Sequence, residues 1–211
     1  MKTIVLASQK GGAGKTTLCG HLGVQASLLG SRVALIDTDP QGSLAEWWNV
    51  RESESPAFAT ASIHSLASDI EQLRQAKFDY VLIDTPPAVT ETIKAVVDLA
   101  DLVVIPTRPS PHDLRAVGKT VDIVNECGKR MVFVVNGAAN RARITAEAAI
   151  ALSQHGAVSP TVVYQRTDFA SSMIDGRTVQ EIDPQGKSSN EIIDLWNYVN
   201  TLLRNSGKAR K

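Results

Sequence analysis

Cysteine is scarce in this chain, with two in 211 residues, Cys19 and Cys127. That number builds neither a disulfide framework nor a cysteine-rich zinc site, and it points to a reducing compartment. Long apolar runs are missing too: none approaches the roughly 18 residues needed to span a bilayer. The first apolar stretch, Ile4 to Ala7, is too short for the core of a secretory signal. Glycine (14) and proline (9) are too few for a low-complexity segment, and 21% charged residues is an ordinary globular fraction. Net charge is absent as well, because 22 Lys and Arg face 22 Asp and Glu. That argues against a constitutively basic nucleic-acid binder, and it does not exclude a local basic face. Residues 1–105 hold 8 basic and 12 acidic side chains, a net of −4, and residues 106–211 hold 14 and 10, a net of +4. Such asymmetry hints at a polyanion-facing surface in the second half.

What the chain has is alternation. Six short Val- and Ile-rich runs lie at Thr3–Ala7, Arg32–Ile36, Tyr80–Ile83, Leu102–Ile105, Met131–Val135 and Val158–Val163. Runs apolar on both faces fit buried parallel strands. Helical patterns fall between them, at Thr16–Leu29, Ile63–Gln75, Asp113–Glu126, Thr145–His155 and Asn190–Leu203. The expected fold is α/β, a single doubly wound, mostly parallel sheet with helices on both faces. One domain over residues 1–204 is expected, with a polar tail at 205–211 and a loop insertion at Arg51–Ser62.

The segment Lys10-Gly11-Gly12-Ala13-Gly14-Lys15-Thr16-Thr17 follows the first strand and opens the first helix. That is the setting of a phosphate-binding loop, the mark of a P-loop NTPase. Glycines let backbone N–H groups turn inward around phosphate oxygens, and the helix start adds free N–H groups and a favourable dipole. Lys15 is placed to reach the terminal phosphates and the Thr16 hydroxyl to ligate Mg²⁺. Two acidic stations follow, Asp37-Thr38-Asp39-Pro40-Gln41 after the second strand and Asp84-Thr85-Pro86-Pro87 after the third. Both stand at carboxyl ends of parallel strands, where open α/β sheets bind ligands. Asp84 suits the water shell of a hard cation such as Mg²⁺.

The loop departs from the ordinary pattern, which has glycine where this chain has Gln9, and it carries a second lysine, Lys10. In this it resembles the deviant Walker A motif of the ParA/MinD superfamily of ATPases. The likeness runs through nearly the whole chain and is greatest to short ParA and ParF-like partition ATPases without an N-terminal helix-turn-helix region. It includes Ile105-Pro106-Thr107-Arg108-Pro109-Ser110, Asp113-Leu114, and Gln165-Arg166 with Gly176, Val179 and Glu181. The resemblance implies that ATP drives a sandwich homodimer in which Lys10 reaches the partner's phosphates. It further implies that Asp39 orients the attacking water, Asp37 belongs to the Mg²⁺ environment, and Asp84 is the Walker B aspartate. A guanine-specific domain would usually show Asn-Lys-x-Asp where this chain reads Asn136-Gly137-Ala138-Ala139, so adenine is favoured. The family likeness places Asn136 and the loop after Val163 beside the base.

In that family the ATP dimer binds DNA nonspecifically until a centromere-binding or cargo-adaptor protein stimulates hydrolysis. A cytoplasmic, nucleoid-associated protein that segregates plasmid or chromosomal DNA, or another cargo, is what the resemblance implies. Arg141, Arg143 and Arg166 are the preferred DNA candidates, with Arg177, Lys187, Lys208, Arg210 and Lys211 as further cations. A MinD-like membrane-positioned ATPase is the alternative, since Ile192, Ile193, Leu195, Trp196, Val199, Leu202 and Leu203 form an apolar stripe with basic residues after it. Glu191 and Asp194 on the same helix, and the similar stripe of any sheet-packed helix, argue for core packing instead. A metabolic ATP-dependent synthase of the same superfamily is a third possibility, and an iron–sulfur reductase is disfavoured because neither cysteine sits in a ligand pattern.

Overall fold

The computed structural model describes residues 1–87 and 91–205. Its strands are β1 (Lys2–Leu6), β2 (Val33–Asp37), β3 (Ala57–Thr60), β4 (Tyr80–Asp84), β5 (Leu102–Thr107), β6 (Met131–Ala138), β7 (Ala157–Val158) and β8 (Val163–Tyr164). They form one sheet in the order β3-β2-β4-β1-β5-β6-β7, with β8 also on β6, and every pairing is parallel. The helices are α1 (Lys15–Leu28), α2 (Ser43–Asn49), α3 (Ile63–Gln75), α4 (Glu91–Asp98), α5 (Pro111–Glu126), α6 (Arg143–Ser153), α7 (Thr167–Ser172), α8 (Val179–Ile182) and α9 (Lys187–Asn205).

Alternate side chains of each central strand feed two separate cores. Ile4 and Leu6, Leu102 and Val104, and Val132 and Val134 face the helices α1, α2 and α9. Val5 and Ala7, Val103 and Ile105, and Phe133 and Val135 face α3, α4, α5 and α6. This is why those strands carry unbroken apolar runs. Two helix starts are specified locally. The Ser62 hydroxyl accepts from the Ser65 N–H at 3.2 Å, and the Ser110 hydroxyl accepts from the Asp113 N–H at 3.1 Å, with Pro111 in the first turn of α5.

Several expectations need correction. Arg51–Ser62 is not only a loop, because it contains the edge strand β3, in register from Ala34↔Ala57 to Asp37↔Thr60. The run Val158–Val163 is not one strand: Pro160 has no N–H to offer a ladder, and the run splits into β7 and β8. Asn205 belongs to α9 rather than to a tail. Residues 206–211, with Lys208, Arg210 and Lys211, lie outside the described residues. The apolar stripe of α9 is packed into the core, with Ile192, Leu195, Trp196, Val199 and Leu203 all buried. Among the described residues no helix is long and apolar enough to cross a membrane.

Candidate functional site

Chain direction makes the site. From β1 the connection runs to β2 on one side of the sheet, whereas from β4 it crosses to β5 on the other. The crevice lies where these connections diverge, at the carboxyl ends of β1, β4 and β5. The loop between β1 and α1 occupies it. Gly12 and Gly14 have φ of 74° and 98°, in the left-handed region, and Gly14 stands directly before α1. A side chain at Gly14 would collide with the Asn136 amide, which donates to the Ala13 carbonyl at 2.7 Å. Asn136 thus reaches across from β6 and holds the loop from outside.

Lys15 is buried at the first turn of α1. Burial lowers its pKa, while Asp84 and Asp39 act in the opposite direction. The Thr16 hydroxyl donates to Asp84 Oδ2 at 2.5 Å, and Asp84 Oδ1 is buried with no partner among the described residues. Burial pushes the Asp84 carboxyl up to about 7; the Thr16 hydrogen bond opposes this, and the nearby Asp37 reinforces it. A desolvated carboxylate with an unmatched oxygen beside a threonine hydroxyl is suited to a hard divalent cation and its waters. Thr16 and Asp84 therefore fit Mg²⁺ as donors.

Asp37 has a different local task. Its Oδ1 accepts from the Asp39 N–H at 2.9 Å, and its Oδ2 accepts from the Leu44 and Ala45 N–H groups at 3.1 Å each. Burial raises its pKa and these three hydrogen bonds pull it back down. One carboxylate thus shapes the loop after β2 and starts α2. Asp39 Oδ1 accepts from the Gln41 N–H at 2.9 Å, and Oδ2 has no protein partner among the described residues. Lys10 and Gly11 are exposed at the mouth of the loop, and among the described residues the Lys10 ammonium has no ion pair. The sequence-derived residues Lys10 to Thr17, Asp37, Asp39, Asp84 and Asn136 thus come together around one loop.

The cleft beside the loop has a volume of about 690 Å³, ample for a nucleotide. Gly12, Gly14 to Thr17, Asn136 and Val163 to Arg166 line it, and Trp47, Phe169 and Met173 supply apolar wall. The expected DNA cations are scattered. Arg141 is exposed in the loop before α6, with φ of 56°, and Arg143 pairs with Glu147 at 2.8 Å. Arg166 lines the cleft, bonded to Glu191 at 2.6 Å and stacked over Tyr164, and Arg177 pairs with Asp175.

Sequence reasoning missed the residues that lock these parts. The Thr38 hydroxyl donates to the Asp84 carbonyl at 2.7 Å, joining the two acidic stations, and the Thr85 hydroxyl donates to the Leu6 carbonyl at 2.8 Å. Both lie inside the motifs already noted, so their position was the available signal. Arg51, almost wholly buried, bonds Glu181 at 2.8 Å and packs over Trp47, and no local pattern announces it.

His21, one turn below Thr17, is a further buried link. Its Nδ1 meets the Thr17 carbonyl at 2.8 Å, and Nε2 accepts from the Val179 N–H at 3.3 Å. Only a neutral ring protonated on Nδ1 satisfies both. Burial pushes its pKa down to about 4, against 6.5 ordinarily. Below pH 6.5 the unfolded chain takes up a proton on His21 that the fold refuses, so the His21 contribution to stability falls as pH drops toward 4. The full loss is roughly 3 kcal/mol. Asp84, pushed up to about 7, contributes with the opposite sign over the same range, so the His21 effect is read as a difference. Urea unfolding of wild type and His21→Gln between pH 7 and pH 4 is expected to show the wild type losing stability relative to the variant as pH falls.

A parallel sheet with helices on both faces and a glycine loop opening a helix at its switch point defines a P-loop nucleotide-binding protein. The family described as the CobQ/CobB/MinD/ParA nucleotide binding domain matches residues 4–179. The chain belongs to that family. It is similar to the maintenance of carboxysome distribution protein A of Halothiobacillus neapolitanus, with 29% identity over 207 residues, 93% of this chain and 95% of that protein. Similarity to the chromosome-partitioning ATPase Soj of Thermus thermophilus is 27% over 155 residues, 60% of this chain and 62% of that protein. The solved structure of the Pyrococcus furiosus cell division ATPase MinD superposes with a TM-score of 0.79 at 20% identity, covering 95% of this chain and 99% of that one. At that identity the superposition shows a shared fold.

Proposed function

We propose that this protein is a Mg²⁺-dependent ATPase of the positioning type: ATP pairs two copies, the pair binds DNA nonspecifically, and a partner protein stimulates hydrolysis to release it. The observation that carries the reading is Lys10, an exposed second lysine at the mouth of the phosphate loop with no ion pair among the described residues. A cation in that position is available to another subunit's nucleotide. The cargo is a plasmid, a chromosomal locus or a protein assembly, and the likenesses to a carboxysome-distribution protein and to Soj support this class.

The chemistry follows from placement. Lys15 and the N–H groups of Gly12 to Thr16 bind the polyphosphate, and the helix start favours its charge. Mg²⁺ held through Thr16 and Asp84 would neutralise charge on the phosphate oxygens. Asp39 holds the attacking water through its unpartnered oxygen, and Lys10 from the second subunit steadies charge in the transition state. Asp37 fixes the loop that carries Asp39. Phosphoryl transfer depends on positioning and electrostatics, and no covalent intermediate is needed.

A salt titration of DNA binding with ATP, with ADP and without nucleotide tests the reading. Binding is expected with ATP only, through Arg141, Arg143 and other cations of the second half, and it should weaken steeply with salt. Doubling a weak basic face by dimerisation supplies the gain in avidity. Equal binding in all three states, or in none, would sink the proposal.

A further inference from the structure

The three acidic residues of the site stand on one side of the phosphate loop. Asp37, Asp39 and Asp84 stand at the ends of β2 and β4, and β4 is one neighbour of β1. The other neighbour is β5, and directly after its last residue, Thr107, comes Arg108. The stem of Arg108 crosses Gly137, where a side-chain carbon would meet its Cγ at 3.7 Å and its Nε at 3.6 Å. Its tip lies over the phosphate loop, since the same test at Gly12 meets Nη2 at 3.8 Å. Arg108 also lines the cleft that contains Gly14, Lys15 and Thr16.

Among the described residues this guanidinium has no ion pair and no hydrogen bond, whereas Arg166 in the same cleft is paired with Glu191. An unpaired five-donor fork beside a loop of backbone N–H donors lacks acceptors, and a phosphate supplies them in matching geometry. We propose that Arg108 contacts the phosphate oxygens of the nucleotide bound in its own subunit, closing the flank of the phosphate loop opposite the acidic stations. The inference rests on the nucleotide reading of the cleft given above.

Calorimetric titration of ATP and of ADP into wild type, Arg108→Ala and Arg108→Lys, at low and high salt, tests it. Arg108→Ala is expected to weaken both nucleotides about tenfold, the size of one lost charge-assisted contact, and to flatten the salt dependence. Arg108→Lys should recover part of the affinity, because it restores the charge without the fork. Arg108 is exposed, so the melting temperature without nucleotide should not move. Unchanged ADP affinity in Arg108→Ala would overturn the proposal. So would a defect confined to ATP-dependent dimerisation, which would assign the guanidinium to the partner's nucleotide. Failure of the wild type to bind either nucleotide would instead remove the reading beneath it.

Discussion

Lys10→Ala is expected to reduce ATP hydrolysis to background, a loss on the order of 10³-fold, while the melting temperature and ADP binding of the monomer stay as in the wild type. The magnitude is that of a cation delivered in trans to a phosphoryl-transfer transition state. The selectivity comes from position. Lys10 is exposed, its side chain has no ion pair among the described residues, and its backbone N–H makes only a 3.4 Å contact with the Ser8 hydroxyl. Removing the ammonium therefore leaves the monomer's packing alone. Lys15 would behave differently, because it is buried beside Asp84 and Asp39, and its removal would disturb nucleotide binding in the monomer itself. Phosphate release, calorimetry with ADP and a thermal melt together separate the two cases. A normal hydrolysis rate in Lys10→Ala would show that the second lysine has no part in the chemistry.

Trp196→Ala is expected to cost about 3–5 kcal/mol of stability, the range for truncating a buried aromatic side chain. Trp196 is 1% exposed and heads the fully buried side chains ranked by size. Its ring meets Tyr80 edge-on at 5.0 Å, and the Tyr80 hydroxyl donates to Asn200 Oδ1 at 2.8 Å. Those contacts tie α9 to the start of β4, at the end of the sheet opposite the phosphate loop. Urea unfolding should therefore show a much lower midpoint, while nucleotide affinity under native conditions holds. The same variant judges the membrane alternative. If α9 left the sheet to lie on lipid, truncating Trp196 would barely alter stability and would instead weaken ATP-dependent pelleting with liposomes.

The central strands and most of the long helices were legible because each carries its own periodicity. The phosphate loop was legible because glycine, lysine and threonine at fixed spacing follow from the shape of a phosphate. Elements fixed by distant partners were not. α2 begins where the Asp37 carboxylate, seven and eight residues back, accepts two of its N–H groups, and its seven residues show no long periodic pattern. β3 is four residues on an edge, with Ala59 and Thr60 exposed, so it lacks the two-sided apolar run of a central strand. The same distinction holds within the site. Lys15 and Asp84 announce themselves, but Thr38, His21 and Arg51 act on groups that only folding brings near.

The aspartate that starts α2 also places indoles. Trp47 and Trp48 lie in that helix, and Trp47 lines the cleft while its Nε1 donates to the Arg177 carbonyl at 3.2 Å. The third tryptophan, Trp196, is sealed in the core. Intrinsic fluorescence therefore has one emitter on the wall of the cleft, Trp47, while Trp48, stacked on Phe58, and Trp196 in the core do not line it. Occupancy of the cleft can be followed by light, with no dye attached.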